Sequence, residues 1–247
     1  MILEVDCGNS YIKWRVIGGR YLVPGAIGIA THVLGLVEDL RSRDLLATIS
    51  RCRMASVRGE VETAEIISAL SDALCVTVDK ACPADSAGGV TNGYHDRQRL
   101  GVDRWLAIIA AYDLCKGACV VIDLGTAITV DLVAQDGVHM GGYIVPGAAL
   151  LREQLLERAR RIQYDVGESS LALSDLSPGR NTVEAVERGC LIMVRSYIAS
   201  QIESAEIYVG KSFTTFVTGG DVALANDLSN VTCVPDLVFR GLAKACP

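Results

Sequence analysis

Two short segments of the chain repeat one arrangement of residues that could bind phosphate. In each copy an apolar run ends on an aspartate, the chain turns through a glycine, and a hydroxyl residue follows. These residues are Asp6, Gly8 and Ser10 in the first copy and Asp123, Gly125 and Thr126 in the second. The glycine lets backbone N–H groups approach phosphate oxygens, and the carboxylate can hold the cation that accompanies them.

The repeat extends beyond the two turns. Each copy continues through an apolar stretch to the tripeptide Val-Pro-Gly, at 23–25 and at 145–147. A single Asp-x-Gly turn is weak evidence for a phosphate site, because many strands end in such a turn. Two copies of the turn, each followed by a similar apolar stretch and the same tripeptide, indicate a duplicated architecture. If the two turns face each other, they would clamp a nucleotide phosphate between two related lobes.

A further candidate site is Gly101-Val102-Asp103-Arg104, which opens an apolar stretch with helical spacing. Two interpretations of Asp103 stay open. The carboxylate could cap the helix, or it could act as the general base for a hydroxyl that attacks a phosphate. In the second case Arg104 would hold a carboxylate of the acceptor in bidentate fashion.

Two glycine-rich segments, 141–147 and Thr218-Gly219-Gly220, allow two interpretations each. In 141–147 the glycines could let a ligand or a neighbouring backbone approach closely, or they could serve only the geometry of a bulge or turn. In Thr218-Gly219-Gly220, which follows a strand, backbone N–H groups could meet an adenosine or a phosphate, or the segment could be a plain strand-to-helix turn. The sequence alone does not separate these alternatives.

The elements that must position these residues form a mixed α/β pattern, in which strands and helices alternate. The predicted strands are 2–6, 11–17, near 21–24, 48–57, 74–78, 119–123, 127–134, 138–145, 213–218 and, as the last element, 231–234, and a helix is predicted at 60–71. The helices predicted near the candidate residues are 102–115, about 147–161 and about 182–203. A boundary near 116–118 predicts two domains, 1–116 and 117–247.

Composition limits the classes of function. The 247 residues carry 23 basic and 29 acidic side chains, a net charge of −6, which argues against general nucleic-acid binding. We find no apolar run that could span a bilayer and no secretory signal, so we expect a cytoplasmic protein without a membrane partner. The nine cysteines form no Cys-x-x-Cys pair, which makes a transition-metal site improbable.

In this order along the chain, the motifs resemble the type III pantothenate kinase family. They are Asp-x-Gly-Asn-Ser at 6–10, Asn-Gly-Tyr at 92–94, Gly-x-Asp-Arg at 101–104, Asp-x-Gly-Thr-Ala at 123–127, Gly-Gly-x-Ile-x-Pro-Gly at 141–147 and Thr-Gly-Gly-Asp at 218–221. The family belongs to the superfamily of acetate kinases, sugar kinases, heat-shock chaperones and actin. The resemblance therefore implies a duplicated RNase H-like, actin-like α/β fold, with two lobes of mixed sheets flanked by helices.

The resemblance also implies an activity, the ATP-dependent phosphorylation of pantothenate to 4'-phosphopantothenate, which begins coenzyme A biosynthesis. Asp103 would be the general base. The residues implied to bind ATP are Asp6, which would also lie near Mg²⁺ through water, with Gly8, Asn9, Ser10, Lys13 and Thr126. The residues implied for pantothenate are Tyr94, Gly101, Val102, Asp103, Arg104 and Thr182.

Asp123 is implied to hold a monovalent cation, K⁺ or NH₄⁺, and the family completes its acceptor pocket in a homodimer. Ser10 replaces the threonine of many members and keeps the hydroxyl. The alternatives keep the fold and lose the reaction: a non-catalytic nucleotide-binding regulator, an actin-like ATPase or phosphatase, or a kinase of acetate or a sugar. Because Asp103, Arg104, Tyr94 and Thr182 occur together, catalysis on a small carboxylated alcohol is the favoured hypothesis.

Overall fold

Two five-stranded sheets with helices packed against them form the chain. This architecture is seen in a computed structural model, which describes residues 1–18, 23–165, 167, 169–173, 175–225, 228 and 230–247. The chain divides into two compact units, and each is described by itself. The first unit consists of Met1–Leu114, Gly137–His139 and Asp236–Pro247, and the second consists of Cys115–Asp136 and Met140–Pro235.

The strands of the two sheets follow the same order. The first sheet contains β1 (Ile2–Cys7), β2 (Ile12–Gly18), β3 (Val23–Ala30), β4 (Arg51–Ser56) and β5 (Val78–Lys80). After the short hairpin of β6 (Ser86–Ala87) and β7 (Val90–Thr91), the second sheet contains β8 (Cys119–Leu124), β9 (Ala127–Val133), β10 (His139–Pro146), β11 (Thr214–Thr218) and β12 (Val231–Cys233). The orders are β3-β2-β1-β4-β5 and β10-β9-β8-β11-β12.

The pairing directions also agree. In the first sheet β1 runs antiparallel to β2 and parallel to β4, and in the second sheet β8 runs antiparallel to β9 and parallel to β11. A hairpin followed by a crossover to a parallel neighbour therefore occurs once in each sheet. This repeated topology confirms the duplicated α/β fold predicted from the sequence.

The helices are α1 (Val33–Ser42), α2 (Glu60–Leu74), α3 (Val102–Cys115), α4 (Ala148–Arg158), α5 (Ser169–Ala172), α6 (Thr182–Val209) and α7 (Leu237–Ala245). On β1, β2 and β4, alternate apolar residues such as Val5 and Trp14 form one core with α1 and α2. On β8 and β9, alternate residues such as Ile122 and Val130 form a second core with α4 and α6. Side chains alternate between the two faces of a strand. Asp6 and Asp123 therefore each lie on the face of their own sheet that points away from the core just described.

Several elements differ from the sequence prediction. The helix predicted to end near 203 continues to Val209, and the strand predicted at 74–78 is β5, which begins at Val78 because α2 extends to Leu74. The strand predicted near 21–24 begins at Val23 and continues to Ala30, and residues 21 and 22 lie outside the described residues. A Cβ added to Gly28 would lie 2.4 Å from the ring of Trp14, so this glycine lets the strand pass over the indole. The prediction also ended at the strand near 231–234 and missed α7. Within the described residues, we find no helix with the length and apolar content to cross a membrane.

Candidate functional site

The first Asp-x-Gly turn joins β1 to β2. Asp6 pairs in register with Lys13 of β2 on one side and with Ala55 of β4 on the other. Residues that face each other across neighbouring strands carry their side chains on the same face of the sheet. Lys13 therefore lies beside Asp6, and Asn9 and Ser10 are exposed at the tip of the turn. This arrangement brings together the five residues that the sequence assigned to the ATP phosphates in this unit.

Arg58 is a neighbour of this turn that the sequence analysis missed. Its Nε donates a 2.8 Å hydrogen bond to the carbonyl oxygen of Gly8. The only sequence signal is an arginine that follows a predicted strand and precedes a helix, a pattern that many surface arginines share. The contact depends on the parallel pairing of β1 with β4, which brings the carboxyl ends of both strands together.

The second turn joins β8 to β9 and has different neighbours. Asp123 pairs in register with Thr129 of β9 and with Thr218 of β11, so two threonine side chains share its face of the sheet. Thr126 is exposed at the tip of the turn. Carboxylate, hydroxyl and carbonyl oxygens are the ligands that hard cations prefer. The residues at this turn therefore suit a cation.

Glycines from the two ambiguous segments pack against the backbone of this second turn. A Cβ added to Gly219 would lie 2.3 Å from the carbonyl oxygen of Leu124 and 2.4 Å from Oδ1 of Asp123. A Cβ added to Gly147 would lie 2.1 Å from the carbonyl oxygen of Gly125. Gly219 also has a φ of +104°, which disfavours any side chain. Close approach of neighbouring backbone therefore explains both glycines.

Asp103 lies in the first turn of α3. Its Oδ1 accepts a 2.7 Å hydrogen bond from the backbone N–H of Arg104. A Cβ added to Gly101 would lie 2.6 Å from the same oxygen, so a larger residue there would displace the carboxylate. Val102 is buried and anchors the start of the helix. Burial of Val102 and the small size of Gly101 thus fix where the carboxylate is presented.

Tyr94 contacts Arg104 directly. Nη1 of Arg104 donates a 2.7 Å hydrogen bond to the Tyr94 hydroxyl, and the guanidinium lies 5.5 Å from the centre of the ring. The tyrosine ring is also stacked on His139, with centroids 5.9 Å apart and an interplanar angle of 12°. Tyr94 and Arg104, two of the residues predicted to bind the acceptor, therefore contact each other. Tyr94 also stacks on a buried histidine for which no sequence pattern indicated a role.

The motif Asn92-Gly93-Tyr94 builds the loop that presents the tyrosine. Asn92 is buried, and its Oδ1 accepts a 3.0 Å hydrogen bond from the backbone N–H of Tyr94. Its Nδ2 donates to the carbonyl oxygens of Ala84 and Arg97, at 3.2 and 3.3 Å. A Cβ on Gly93 would lie 1.7 Å from the carbonyl oxygen of His139. The asparagine therefore closes the loop, and the glycine admits the neighbouring backbone.

Thr182 is the first residue of α6, in the second unit. Asn181 caps this helix by accepting a 2.9 Å hydrogen bond from the backbone N–H of Glu184. One turn further on, the buried carboxylate of Glu187 accepts hydrogen bonds from Ser169 at 2.7 Å and from Arg152 at 2.9 Å. These contacts fix the helix start that presents Thr182.

The polar partners of Glu187 also lower its pKa. Burial by itself would raise the pKa of Glu187, but hydrogen bonds from Ser169, Tyr164 and Arg152 outweigh burial and hold the pKa below its ordinary value. This carboxylate is therefore a structural ion of the second unit. No pattern in the sequence indicates this role.

Comparison with known proteins identifies the family. The family model described as type III pantothenate kinase matches residues 2–204. A type III pantothenate kinase of Pseudomonas fluorescens is 50% identical over 248 residues, covering 100% of this chain and 99% of the relative.

Solved structures agree on the fold. A Campylobacter jejuni protein described as a Baf family transcriptional activator superposes with a TM-score of 0.62 at 22% identity, covering 98% of this chain and 96% of that one. A Sinorhizobium meliloti protein described as a 2-dehydro-3-deoxygalactonokinase gives 0.55 at 16% identity, covering 99% and 98%. The fold is that of sugar kinases and actin-like proteins. From the family match and the full-length relative, we conclude that this chain belongs to the type III pantothenate kinase family.

Proposed function

We propose that this protein transfers the γ-phosphate of ATP to the primary hydroxyl of pantothenate, with Asp103 as the general base. The product is 4'-phosphopantothenate, and the reaction is the first step of coenzyme A biosynthesis. The observation that carries this proposal is the position of Asp103 at the start of α3, next to the Arg104–Tyr94 pair. Phosphoryl transfer depends mainly on placement, so a fixed carboxylate beside a fixed guanidinium supports it.

Each acceptor residue has a distinct chemical task in this proposal. The Asp103 carboxylate takes the proton of the attacking hydroxyl, and Gly101 leaves room for it. Arg104 is buried, and its planar guanidinium suits the carboxylate of pantothenate. Tyr94 lines the pocket and orients the guanidinium through its hydroxyl. Val102 anchors the helix start, and Thr182 adds a hydroxyl contact to pantothenate.

The nucleotide residues divide between the two turns. We assign Gly8, Asn9, Ser10 and Lys13 to the ATP phosphates, with Asp6 near Mg²⁺ through water; Thr126 also contacts ATP. A kinase of this family uses ATP with a divalent metal, which neutralises charge on the phosphates. Asp123, Thr129 and Thr218 offer the oxygen ligands for a monovalent cation, K⁺ or NH₄⁺. The fit of these donors to a cation supports the assignment.

Three further assignments complete the proposal. The duplicated halves are the lobes 1–116 and 117–247, the protein is a homodimer, and it acts in the cytoplasm. The repeated strand order supports the two lobes, and the family resemblance supports the dimer. Sedimentation of the purified protein at several concentrations tests the dimer. A monomer of 26.3 kDa at all concentrations would contradict it.

The decisive experiment measures ADP release from MgATP with and without pantothenate, in potassium and in sodium buffers. Asp103→Asn is expected to lower kcat by about 10²- to 10⁴-fold, the usual contribution of a general base. Asp113→Asn is the matched control, because it makes the same change on the same helix at a residue paired with Lys244. It is expected to leave kcat within about twofold of wild type.

Three results would contradict the proposal. Full activity of Asp103→Asn would exclude it as the base. Hydrolysis of ATP that ignores pantothenate would favour an actin-like ATPase, and nucleotide binding without turnover would favour a regulatory protein. We do not favour these alternatives, because the chain matches kinases along its whole length.

A further inference from the structure

Arg58 follows β4 and approaches the first Asp-x-Gly turn from the side. Its guanidinium makes a hydrogen bond and an ion pair: Nε donates to the carbonyl oxygen of Gly8 at 2.8 Å, and Nη1 lies 2.6 Å from Oε1 of Glu62. The Arg58 side chain is only 8% exposed, whereas that of Glu62 is 51% exposed. The structure thus places a mostly buried guanidinium in contact with the backbone of the turn assigned to the ATP phosphates.

The backbone around Arg58 is held in place by a set of hydrogen bonds. The hydroxyls of Ser56 and Thr63 lie 2.8 Å apart, and Thr63 also donates to the carbonyl oxygen of Arg58 at 3.2 Å. The backbone N–H of Val57 donates to the carbonyl oxygen of Cys7 at 3.1 Å. The segment that carries the arginine is therefore fixed both to α2 and to the end of β1.

The charge balance around this arginine points to a ligand. Burying a guanidinium is costly unless an anion compensates for it. Its carboxylate partner, Glu62, is half exposed, so solvent screens much of that compensation. A neutral donor could have made the single hydrogen bond to Gly8. The positive charge of Arg58 is therefore stabilised most when a further negative charge binds at the turn.

We propose that Arg58 is a positioning residue for the phosphates of ATP. It holds the Gly8 carbonyl, which fixes the orientation of the turn, and its positive charge favours the binding of phosphate at the turn. This inference deepens the proposed function, because it rests on the assignment of residues 6–10 to ATP. It adds a residue to that site and predicts an effect specific to the nucleotide.

The alternative is a purely structural arginine, which stabilises the start of α2 through its i,i+4 pair with Glu62. The two roles predict different measurements. A structural role changes the melting temperature and affects both substrates alike. A positioning role changes the KM for ATP selectively, and the effect depends on charge as well as on hydrogen bonding.

The test compares Arg58→Gln, which keeps a donor without the charge, with Arg58→Lys, which keeps the charge. KM for ATP, KM for pantothenate, kcat and Tm are measured for each. We expect Arg58→Gln to raise KM for ATP about tenfold with little change in KM for pantothenate. Arg58→Lys, which keeps the charge, should raise KM for ATP much less. The control is Arg43→Gln, which breaks another i,i+4 pair of the first unit, with Asp39, and should leave all three kinetic constants unchanged.

Two outcomes overturn the inference. One is an equal effect of Arg58→Gln on both KM values, and the other is a lowered Tm with unchanged kinetics. The wild-type assay separates this failure from that of the proposed function. If wild type phosphorylates pantothenate while Arg58→Gln keeps its KM for ATP, only the role of Arg58 is wrong. If wild type does not phosphorylate pantothenate, equilibrium binding of MgATP to the same variants still tests Arg58.

Discussion

The Asp6 and Asp123 turns occupy the same place in their sheets, but the residues around them differ. Lys13 is the cross-strand neighbour of Asp6, whereas Thr129 holds the equivalent place beside Asp123. On the other side Ala55 corresponds to Thr218. The carboxylate of the first turn therefore has the positively charged Lys13 on a neighbouring strand, whereas the carboxylate of the second turn has two threonine hydroxyls as neighbours.

The connections that follow the parallel neighbour strands differ in the same sense. After β4 the side chain of Arg58 reaches the turn and bonds to Gly8. After β11 the backbone itself approaches, because Gly219 has no side chain to separate it from Leu124 and Asp123. The duplication thus kept the backbone of the turn while its surroundings diverged. This difference fits the proposed roles, in which the first turn binds the ATP phosphates and Asp123 of the second turn holds a monovalent cation.

The difference extends along the faces that carry the two aspartates. Two residues before Asp6, the fully buried Glu4 forms ion pairs with Arg15 and Arg53 on the neighbouring strands. The equivalent places in the second sheet hold the buried residues Val121, Asp131 and Phe216. Nη1 of Arg15 also contacts Asp236, which precedes α7, and Nη1 of Arg53 donates to the carbonyl oxygen of Cys246 just after it. The ionic group in the first sheet therefore attaches the last helix.

The largest effect expected from this comparison is on stability. Glu4→Gln should lower the free energy of unfolding by about 3–5 kcal/mol, because two guanidinium groups would stay buried beside a neutral amide. Val121→Ala, at the equivalent place, should cost about 2 kcal/mol from lost burial and a small cavity. Urea unfolding of both variants measures the difference. An equal or smaller cost for Glu4→Gln would mean that the ionic group contributes little to the attachment of α7.

A second prediction compares Gly8, a glycine of the first turn, with Gly219, which follows β11 and packs against the second turn. Gly219→Ala should cost about 3 kcal/mol, because its φ is positive and a Cβ would meet backbone at 2.3 Å. Gly8→Ala should cost about 1 kcal/mol or less, since its Cβ would lie 3.3 Å from the carbonyl oxygen of Tyr11. Thermal unfolding of the two variants without ligand gives the comparison. Similar losses of Tm would refute the view that the second turn is the more tightly enclosed.

The sequence predicted the elements whose signal is local. The two hairpins and the bounds of α3 follow from apolar runs, turn glycines and helical spacing. The whole of α7 was missed because it is short and contains Gly241. A Cβ at Gly241 would lie 2.0 Å from the carbonyl oxygen of Leu106, so this glycine serves a close crossing with α3. A requirement set by a distant segment leaves no local pattern.

The candidate site shows the same limit. Motif spacing pointed to Asp103 and Arg104, and the structure adds the reason for Gly101 and for Asn92. Arg58 could not be identified, because its contact with Gly8 joins residues 50 positions apart in the sequence. The roles of all these residues in catalysis stay predictions that kinetics must test.

The third prediction separates the two turns by function. Asp123→Asn should lower turnover in potassium by about 10²-fold and abolish the advantage of potassium over sodium, because the anionic oxygen ligand is lost. Lys13→Met should raise KM for ATP about tenfold, the effect of one charged contact, and keep the potassium effect. Steady-state kinetics in both salts measures this. If Lys13→Met alone abolished the potassium effect, the assignment of the two turns would have to be exchanged.

The smallest expected effect concerns Glu187, the buried carboxylate of the second unit, which has Arg152 and hydroxyl groups as partners where Glu4 has two arginines. Because the folded pKa of Glu187 lies below its ordinary value, the carboxylate stabilises the fold above that ordinary value, and this contribution is lost as the pH falls through the folded pKa. Glu187→Gln should therefore cost about 1 kcal/mol at pH 7, and the cost should shrink on acidification below pH ~4. Tm of wild type and variant across this range provides the measurement, with exposed Glu206→Gln on the same helix as control. A difference independent of pH would show that packing of the side chain, and not its charge, holds this part of the second unit together.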